Sequence, residues 1–254
     1  MAIELVGGTV VLVGGGPGDP GLITVAGLEA IKQADVIIYD RLAPLECLED
    51  AREDAELINV GKIPRGEFTP QETINALLIE RAQAGLKVVR FKGGDNFVFG
   101  RGGEEWQACA DAGVPVRVIP GVTSSIAAPE LAGIPVTHRS LTQGFTVVSG
   151  HVPPGDERST VNWAALAQAN TTIVILMGIH YLPQIVDELT AAGLATDTPA
   201  AVIMNAGHDV MRALRTDVSG LVAAVRDNEI EPPAVTVIGQ VAGLDLDAGT
   251  AAEA

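Results

Sequence analysis

Residues 87–105 read KVVRFKGGDNFVFGRGGEE. An apolar strand pattern, Val88-Val89-Arg90-Phe91, runs into Gly93-Gly94-Asp95. A short aromatic patch follows, then Arg101-Gly102-Gly103, with Glu104-Glu105 opening a helix. Glycine inside a regular element costs about 0.5–1 kcal/mol relative to alanine, so such a cluster marks unusual backbone angles or a ligand pressed against the main chain. The loop follows a buried-type strand, where open α/β sheets place their ligands, and this favours ligand contact over a plain flexible turn.

The segments before this stretch repeat the arrangement. Residues 9–14, TVVLVG, are rich in β-branched side chains and end at glycine, as a buried parallel strand does. The following Gly14-Gly15-Gly16-Pro17-Gly18-Asp19 is no dinucleotide fingerprint, because GxGxxG anchored at Gly14 and Gly16 requires glycine where Asp19 stands. Pro17 and Pro20 also remove backbone donors that a phosphate would use. Gly61-Lys62 is no phosphate-binding Walker loop either, since Glu56 occupies the first glycine position. A ligand without phosphates suits these loops better.

Thr24 is placed to cap a helix over 25–34, and strand 36–39 (VIIY) ends at Asp40-Arg41. That polar pair reads equally as a site or as an exposed turn with its own ion pair. Strand 56–60 ends at Gly61-Lys62, and apolar residues at Ile74, Leu77, Leu78 and Ala82 give a helix over 70–84. Helix 104–112, strand 114–119 and a helix running to 131 follow, with Ser125 expected as a helix cap and Thr123 kept as a site candidate. Residues 134–144 read as a linker. Beyond it strands are expected at 145–149, 171–176, 199–204 and 234–238, and helices at 161–168, 180–192 and 217–226. Met177 at a strand end reads more readily as core filling than as a ligand contact. The expected organisation is therefore α/β, with two wound domains over 1–133 and 145–244, hairpins near the end left open, and a frayed tail over 245–254.

Composition limits the function. The net charge of −16 argues against general nucleic-acid binding, which needs a basic face. Nine of the 16 basic residues nevertheless fall between 41 and 101, and Lys62, Arg90, Lys92 and Arg101 stand beside glycines or at strand ends, where a local positive pocket can form. Apolar runs such as 171–177 are too short to cross a bilayer, and the N-terminus carries no export pattern, so a soluble cytoplasmic protein without membrane association is expected. Cys47 and Cys109 form no paired motif, and His138, His151, His180 and His208 show no ligand spacing, so no metal is expected.

Taken together, Val13 to Pro20, Tyr39-Asp40-Arg41-Leu42, Val60-Gly61-Lys62 and Arg90 to Glu105 resemble the uroporphyrinogen-III C-methyltransferases, within the wider family of tetrapyrrole methyltransferases. Pro120 to Ser124, Gly133 to Arg139, Met177-Gly178 and Pro233-Ala234-Val235 extend the resemblance over about residues 8–240. It implies a homodimer of two-domain α/β subunits that binds S-adenosylmethionine in the cleft between domains, with S-adenosylhomocysteine as the spent cofactor. Methyl transfer to C2 and C7 of uroporphyrinogen III would give precorrin-2, on the route to sirohaem and cobalamin.

By matched position, the cofactor contacts implied are Pro17, Gly93, Gly94, Asp95, Val98, Thr123, Ser124, Met177 and Ala206. Asp40 matches the proton acceptor and Lys62 the proton donor, while Arg41, Arg90 and Arg101 are expected to hold substrate carboxylates. Three departures stand out. Asn96 replaces the family's usual proline, which implies a looser glycine loop; the histidine expected after Val60-Gly61-Lys62 is missing; and residues 206–212 lack the usual hydroxyl and amide. No added dehydrogenase–chelatase domain is recognisable, so methylation alone is expected. The alternatives are a methyltransferase acting on a later corrin precursor, and a non-catalytic protein that retains the cofactor cleft.

Overall fold

The structure, a computed structural model, describes residues 4–61 and 69–246. The chain forms two compact units that divide between Ser124 and Ser125. Among the described residues no helix is long and apolar enough to cross a membrane.

The first unit is built on five parallel strands. These are β1 (Thr9–Gly14), β2 (Val36–Tyr39), β3 (Glu56–Asn59), β4 (Lys87–Lys92) and β5 (Val116–Ile119), in the order β3-β2-β4-β1-β5. β1 is buried along its whole length, as its continuous β-branched sequence requires of a strand covered on both faces. Alternation sorts the side chains. Val11, Val13, Ile37, Val89 and Phe91 pack with Ala30 and Ile31 of helix α1 (Val25–Gln33). Val10, Leu12, Val36, Ile38 and Val88 pack instead with Ile74 and Leu78 of α2 (Gln71–Gln83) and Cys109 of α3 (Gly102–Asp111). The Thr24 hydroxyl accepts the Gly27 N–H at 3.0 Å, so α1 starts where the sequence signals it.

The strand order creates a crevice. From β1 the chain crosses toward β2 on one side, and from β4 it crosses toward β5 on the other. The C-terminal ends of β1 and β4 therefore lie side by side at a topological switch point, with Gly14 in register with Lys92.

The second unit carries β6 (Phe145–Ser149), β7 (Thr172–Leu176), β8 (Pro199–Met204), β9 (Arg212–Asp217) and β10 (Ala234–Ile238), ordered β6-β7-β10-β8-β9. Only β6 and β7 pair in parallel; β10 runs antiparallel to both its neighbours, and β8 and β9 form a hairpin. Strand β9, RALRTD, lies in a stretch to which the sequence reading assigned no element. Its charged, poorly apolar composition suits an exposed edge rather than a buried strand. The helix expected from 217 starts later, as α7 (Leu221–Asp227). One sheet face packs against Trp163 of α5 (Trp163–Gln168), Leu182, Ile185 and Leu189 of α6 (Leu182–Ala191) and Leu221 of α7. The other face receives Ala128 of α4 (Ser124–Leu131), Ile134 and Val241. By these contacts α4 belongs with the second unit. Ser125, expected as a cap, lies inside α4 and is buried.

Both cysteines are free and buried in the first unit. Burial, followed by the nearby Asp50 and Glu46, pushes the Cys47 thiol up to about 11 from an ordinary 9.0. Burial, followed by Glu105, does the same for Cys109. The folded protein then keeps these protons while the unfolded chain loses them. Stability from the two thiols is complete below about pH 9 and disappears as the pH rises toward 11. Chemical denaturation at stepped pH should record a falling midpoint across that window, and a double Cys→Ser variant should flatten it.

The closest backbone packing occurs at glycines. A Cβ on Gly14 would stand 2.5 Å from the Gly121 nitrogen and 2.8 Å from the Gly94 carbonyl oxygen, and one on Gly121 would collide with that same oxygen. Gly121→Ala is therefore expected to lower stability by about 1–3 kcal/mol, as overpacking does, read as a shifted urea midpoint at unchanged slope.

Candidate active site at the strand ends

Beyond β1 and β4 the two glycine loops bind each other. The Gly15 N–H donates to the Lys92 carbonyl at 2.7 Å, Gly94 N–H to Gly16 O at 2.6 Å, and Gly16 N–H to Gly94 O at 3.2 Å. Gly16 and Gly94 hold φ of 85° and 65°, which glycine adopts without strain. A Cβ on Gly93 would strike the Leu42 carbonyl, whereas one on Gly94 would meet only Ser124, at 3.7 Å. The N–H groups of Gly93 and Gly94 both donate within the protein, to Asp40 Oδ1 and Gly16 O. What the loop presents to a ligand is thus a close approach to its backbone rather than a row of free donors.

Asp95 and Asn96 fix this loop. Asp95 Oδ1 accepts the Phe97 N–H at 2.9 Å, and Oδ2 accepts the Gly121 N–H at 3.2 Å. Asn96 is completely buried; its Nδ2 donates to Ile119 O at 2.9 Å and Leu12 O at 3.4 Å, and its backbone carbonyl accepts the Gly102 N–H at 3.0 Å. The expected loosening at Asn96 is therefore overturned. A side-chain amide supplies donors that proline lacks, and it ties the loop to the ends of β1 and β5.

Asp40 follows β2 and is partly exposed. Its Oδ1 accepts the Leu42 N–H at 3.1 Å and the Gly93 N–H at 3.4 Å, while Oδ2 takes Arg90 Nη2 at 3.3 Å. Arg90 was expected to hold a substrate carboxylate, but its side chain is 4% exposed. Its other donors go to Ile38 O, Phe91 O and Glu105 Oε1. Beside it, burial followed by the Arg90 charge lowers the Lys92 pKa, against the pull of Glu105. The sequence reading gave Glu105 no role beyond opening a helix. The signal was present, because Arg90 and Lys92 alternate with buried residues of β4 and share the face on which α3 packs. Two cations there require a buried carboxylate.

The remaining first-unit candidates are more exposed. Arg41 is exposed at the end of β2. Arg101 forms a two-pronged pair with Glu104, at 3.0 and 2.7 Å. Phe99 and Arg101 hold left-handed φ of 55° and 59°, a costly conformation for non-glycine residues that concentrates at functional sites. Pro17, Val98 and Thr123, in loops, and Ser124, at the start of α4, are half-buried. Lys62 lies outside the described residues.

In the second unit, Met177 follows β7 with φ 57° and is 48% exposed, so it does not fill the core as the sequence reading favoured. Asn205 follows β8 with φ 52° and donates its N–H to Pro233 O at 3.0 Å, which places half-buried Ala206 near the start of β10. Met177 and Ala206 thus flank the start of the central strand β10 from its two sides, since Leu176 pairs with Val235 and Met204 with Ala234.

A parallel sheet with glycine loops at its switch point, a partly exposed carboxylate and exposed arginines defines a ligand-binding α/β enzyme. The chain belongs to the tetrapyrrole (corrin/porphyrin) methylases, whose family pattern matches residues 9–221. It is 48% identical over 236 residues to the uroporphyrinogen-III C-methyltransferase of Methanocaldococcus jannaschii, covering 92% of this chain and 96% of that one. It is 43% identical to siroheme synthase 2 of Klebsiella pneumoniae, covering 93% of this chain and 51% of that protein, about half its length. Among solved structures it resembles uroporphyrin-III C-methyltransferase of Thermus thermophilus complexed with S-adenosylhomocysteine. There the TM-score is 0.77 at 36% identity, covering 92% of each chain.

Asn96→Ala removes the buried donors that tie the loop to Leu12 of β1 and Ile119 of β5. A loss of about 1–3 kcal/mol is expected, with faster amide exchange at Gly102 as the local readout.

Proposed function

We propose that the protein transfers two methyl groups from S-adenosylmethionine to C2 and C7 of uroporphyrinogen III, giving precorrin-2 for sirohaem and cobalamin synthesis. The observation that carries this reading is the partly exposed Asp40 carboxylate beside Gly93 at the switch-point crevice, in a chain 48% identical to a uroporphyrinogen-III C-methyltransferase.

The glycine loops fit the cofactor. Gly94 leaves open the space a side chain would fill, with Ser124 the nearest group, and Pro17, Val98 and Thr123 are half-buried in the neighbouring segments of the chain. In this reading they hold the cofactor together with Gly93, while Asp95 keeps the loop in shape through Phe97 and Gly121. Met177 and Ala206 carry the same assignment in the second unit. The bound cofactor supplies a methyl group already activated on a sulfonium. The protein's contribution is then mainly to align a nucleophilic pyrrole carbon, a positioning effect.

A carbon that gains a methyl group obliges the macrocycle to lose a proton. Asp40 is the group that takes it, with one oxygen oriented by Arg90 and the other by the Leu42 and Gly93 N–H groups. The substrate carries carboxylates around its rim. Arg41 and Arg101 anchor them from exposed positions, and Lys62 either anchors one or returns a proton. A homodimer in the cytoplasm completes the proposal, supported by the family resemblance and by two free, buried thiols.

The test incubates pure protein with uroporphyrinogen III and labelled S-adenosylmethionine and counts methyl groups on the macrocycle. Two are expected; none would overturn the reading. Asp40→Asn should lower kcat about a hundredfold or more, the usual scale of positioned acid–base catalysis, while S-adenosylhomocysteine affinity stays close to that of the parent.

A further inference from the structure

Glu105 is fully buried, and a single oxygen, Oε1, receives three side-chain donors: Arg90 Nε at 3.0 Å, Lys92 Nζ at 3.1 Å and Gln71 Nε2 at 3.3 Å. The side chains of Arg90 and Lys92 are themselves only 4% and 6% exposed. Two buried cations thus share one buried anion, an arrangement that leaves positive charge in excess. That excess is directed outward along the guanidinium. Arg90 is gripped at Nε by Glu105 and at Nη1 by the carbonyls of Ile38 and Phe91, and its Nη2 reaches Asp40 Oδ2. Asp40 in turn reaches the Gly93 N–H. An unbroken chain of charged hydrogen bonds therefore runs from helix α3 through β4 to the strand-end carboxylate.

We infer that Glu105 is a positioning residue for Asp40. It orients the Arg90 guanidinium and offsets Lys92, so that Arg90 holds the Asp40 carboxylate where a proton is taken up. The inference rests on the proposed role of Asp40 and adds to it a fixed support two side chains away. Lys92 is the counterweight. Without the Glu105 charge, Lys92 and Arg90 repel at close range in a buried setting, and Arg90 loses the restraint that aims it. Glu105 touches no ligand in this scheme, so its removal acts on turnover through Asp40 and spares cofactor affinity.

A mutant cycle decides the matter. Glu105→Gln, Asp40→Asn and the double variant are assayed for kcat, KM and S-adenosylhomocysteine binding by calorimetry, with folding checked by circular dichroism. E105Q is expected to lower kcat by about tenfold or more in the parent protein, yet by less than about twofold once Asp40 is already replaced. S-Adenosylhomocysteine affinity should change by less than about twofold in every variant. If E105Q fails to fold, the same cycle is run with Lys92→Met and Glu105→Gln combined, which removes the excess charge together with the anion. An equal loss of kcat in both Asp40 backgrounds, or an undiminished kcat in E105Q, overturns the inference. A parent protein that transfers no methyl group instead overturns the proposed function itself, and the two failures remain distinct.

Discussion

The first unit depends on how closely three backbones approach one another. Gly14, Gly94 and Gly121 end β1, the β4 loop and β5 at separations that leave no room for a Cβ on Gly14 or Gly121. Once those chains touch, the Gly16–Gly94 hydrogen bonds follow, and Asp95 and Asn96 come within reach of Gly121, Ile119 and Leu12. Glycine's conformational cost is recovered here as proximity. The crevice at the switch point is shaped by main chain, and its walls therefore vary little with side-chain rotamers.

The same rigidity explains how buried charge is tolerated behind the crevice. Arg90 and Lys92 occupy positions in β4 where Val88 is also buried, an arrangement that a solitary cation could not sustain. Helix α3 resolves the conflict. Its glycines let it start directly after the loop, and Glu105 and Cys109, one turn apart, both face the sheet. The apolar contact of Cys109 and the ionic contact of Glu105 thus belong to one docking event. Loop geometry, helix placement and charge balance are consequences of the same short stretch of sequence.

Much of this was legible beforehand. The five strands of the first unit follow from short apolar runs bounded by glycine or polar residues, and β1, β2 and β4 are buried as such runs require, whereas β3 and β5, at the two edges of the sheet, are more exposed. The second unit was read less completely. Alternation in RALRTD is masked by arginines at an edge, and no local signal shows that β10 runs antiparallel between β7 and β8, because pairing direction is set by long-range packing. At the candidate site, the strand-end placement of Asp40 and Gly93 was legible because both follow apolar runs, whereas the Asp40-Arg41 pair reads evenly as a site or as an exposed turn until Arg90 is seen beside it. Arg90, expected as a substrate anchor, differs for a physical reason: a cation at a strand end beside glycines reads as open to a ligand until its buried partner is known, and Glu105 lies on another element. Asn96 was misjudged similarly, since its donors matter only when Leu12 and Ile119 are brought beside it.

Charge distribution separates two tasks that the sequence had merged. The protein carries a net charge of −16, yet the proposed substrate is a polyanion. Exposed charges are screened over about 8–10 Å at ordinary ionic strength, so the substrate responds to the groups lining its path rather than to the total. Arg90 and Lys92 do not line that path; they are enclosed and committed to Glu105 and Asp40. In the proposed reading, attraction of substrate carboxylates therefore falls to Arg41 and Arg101. Arg101 already binds a carboxylate, Glu104, in a two-pronged geometry. On that reading a substrate carboxylate takes the place of that partner on the same planar guanidinium. In the proposed reading, interior cations set the geometry of Asp40 and exterior ones meet the substrate. A strongly acidic chain can handle an acidic substrate because these roles are held by different residues at different depths.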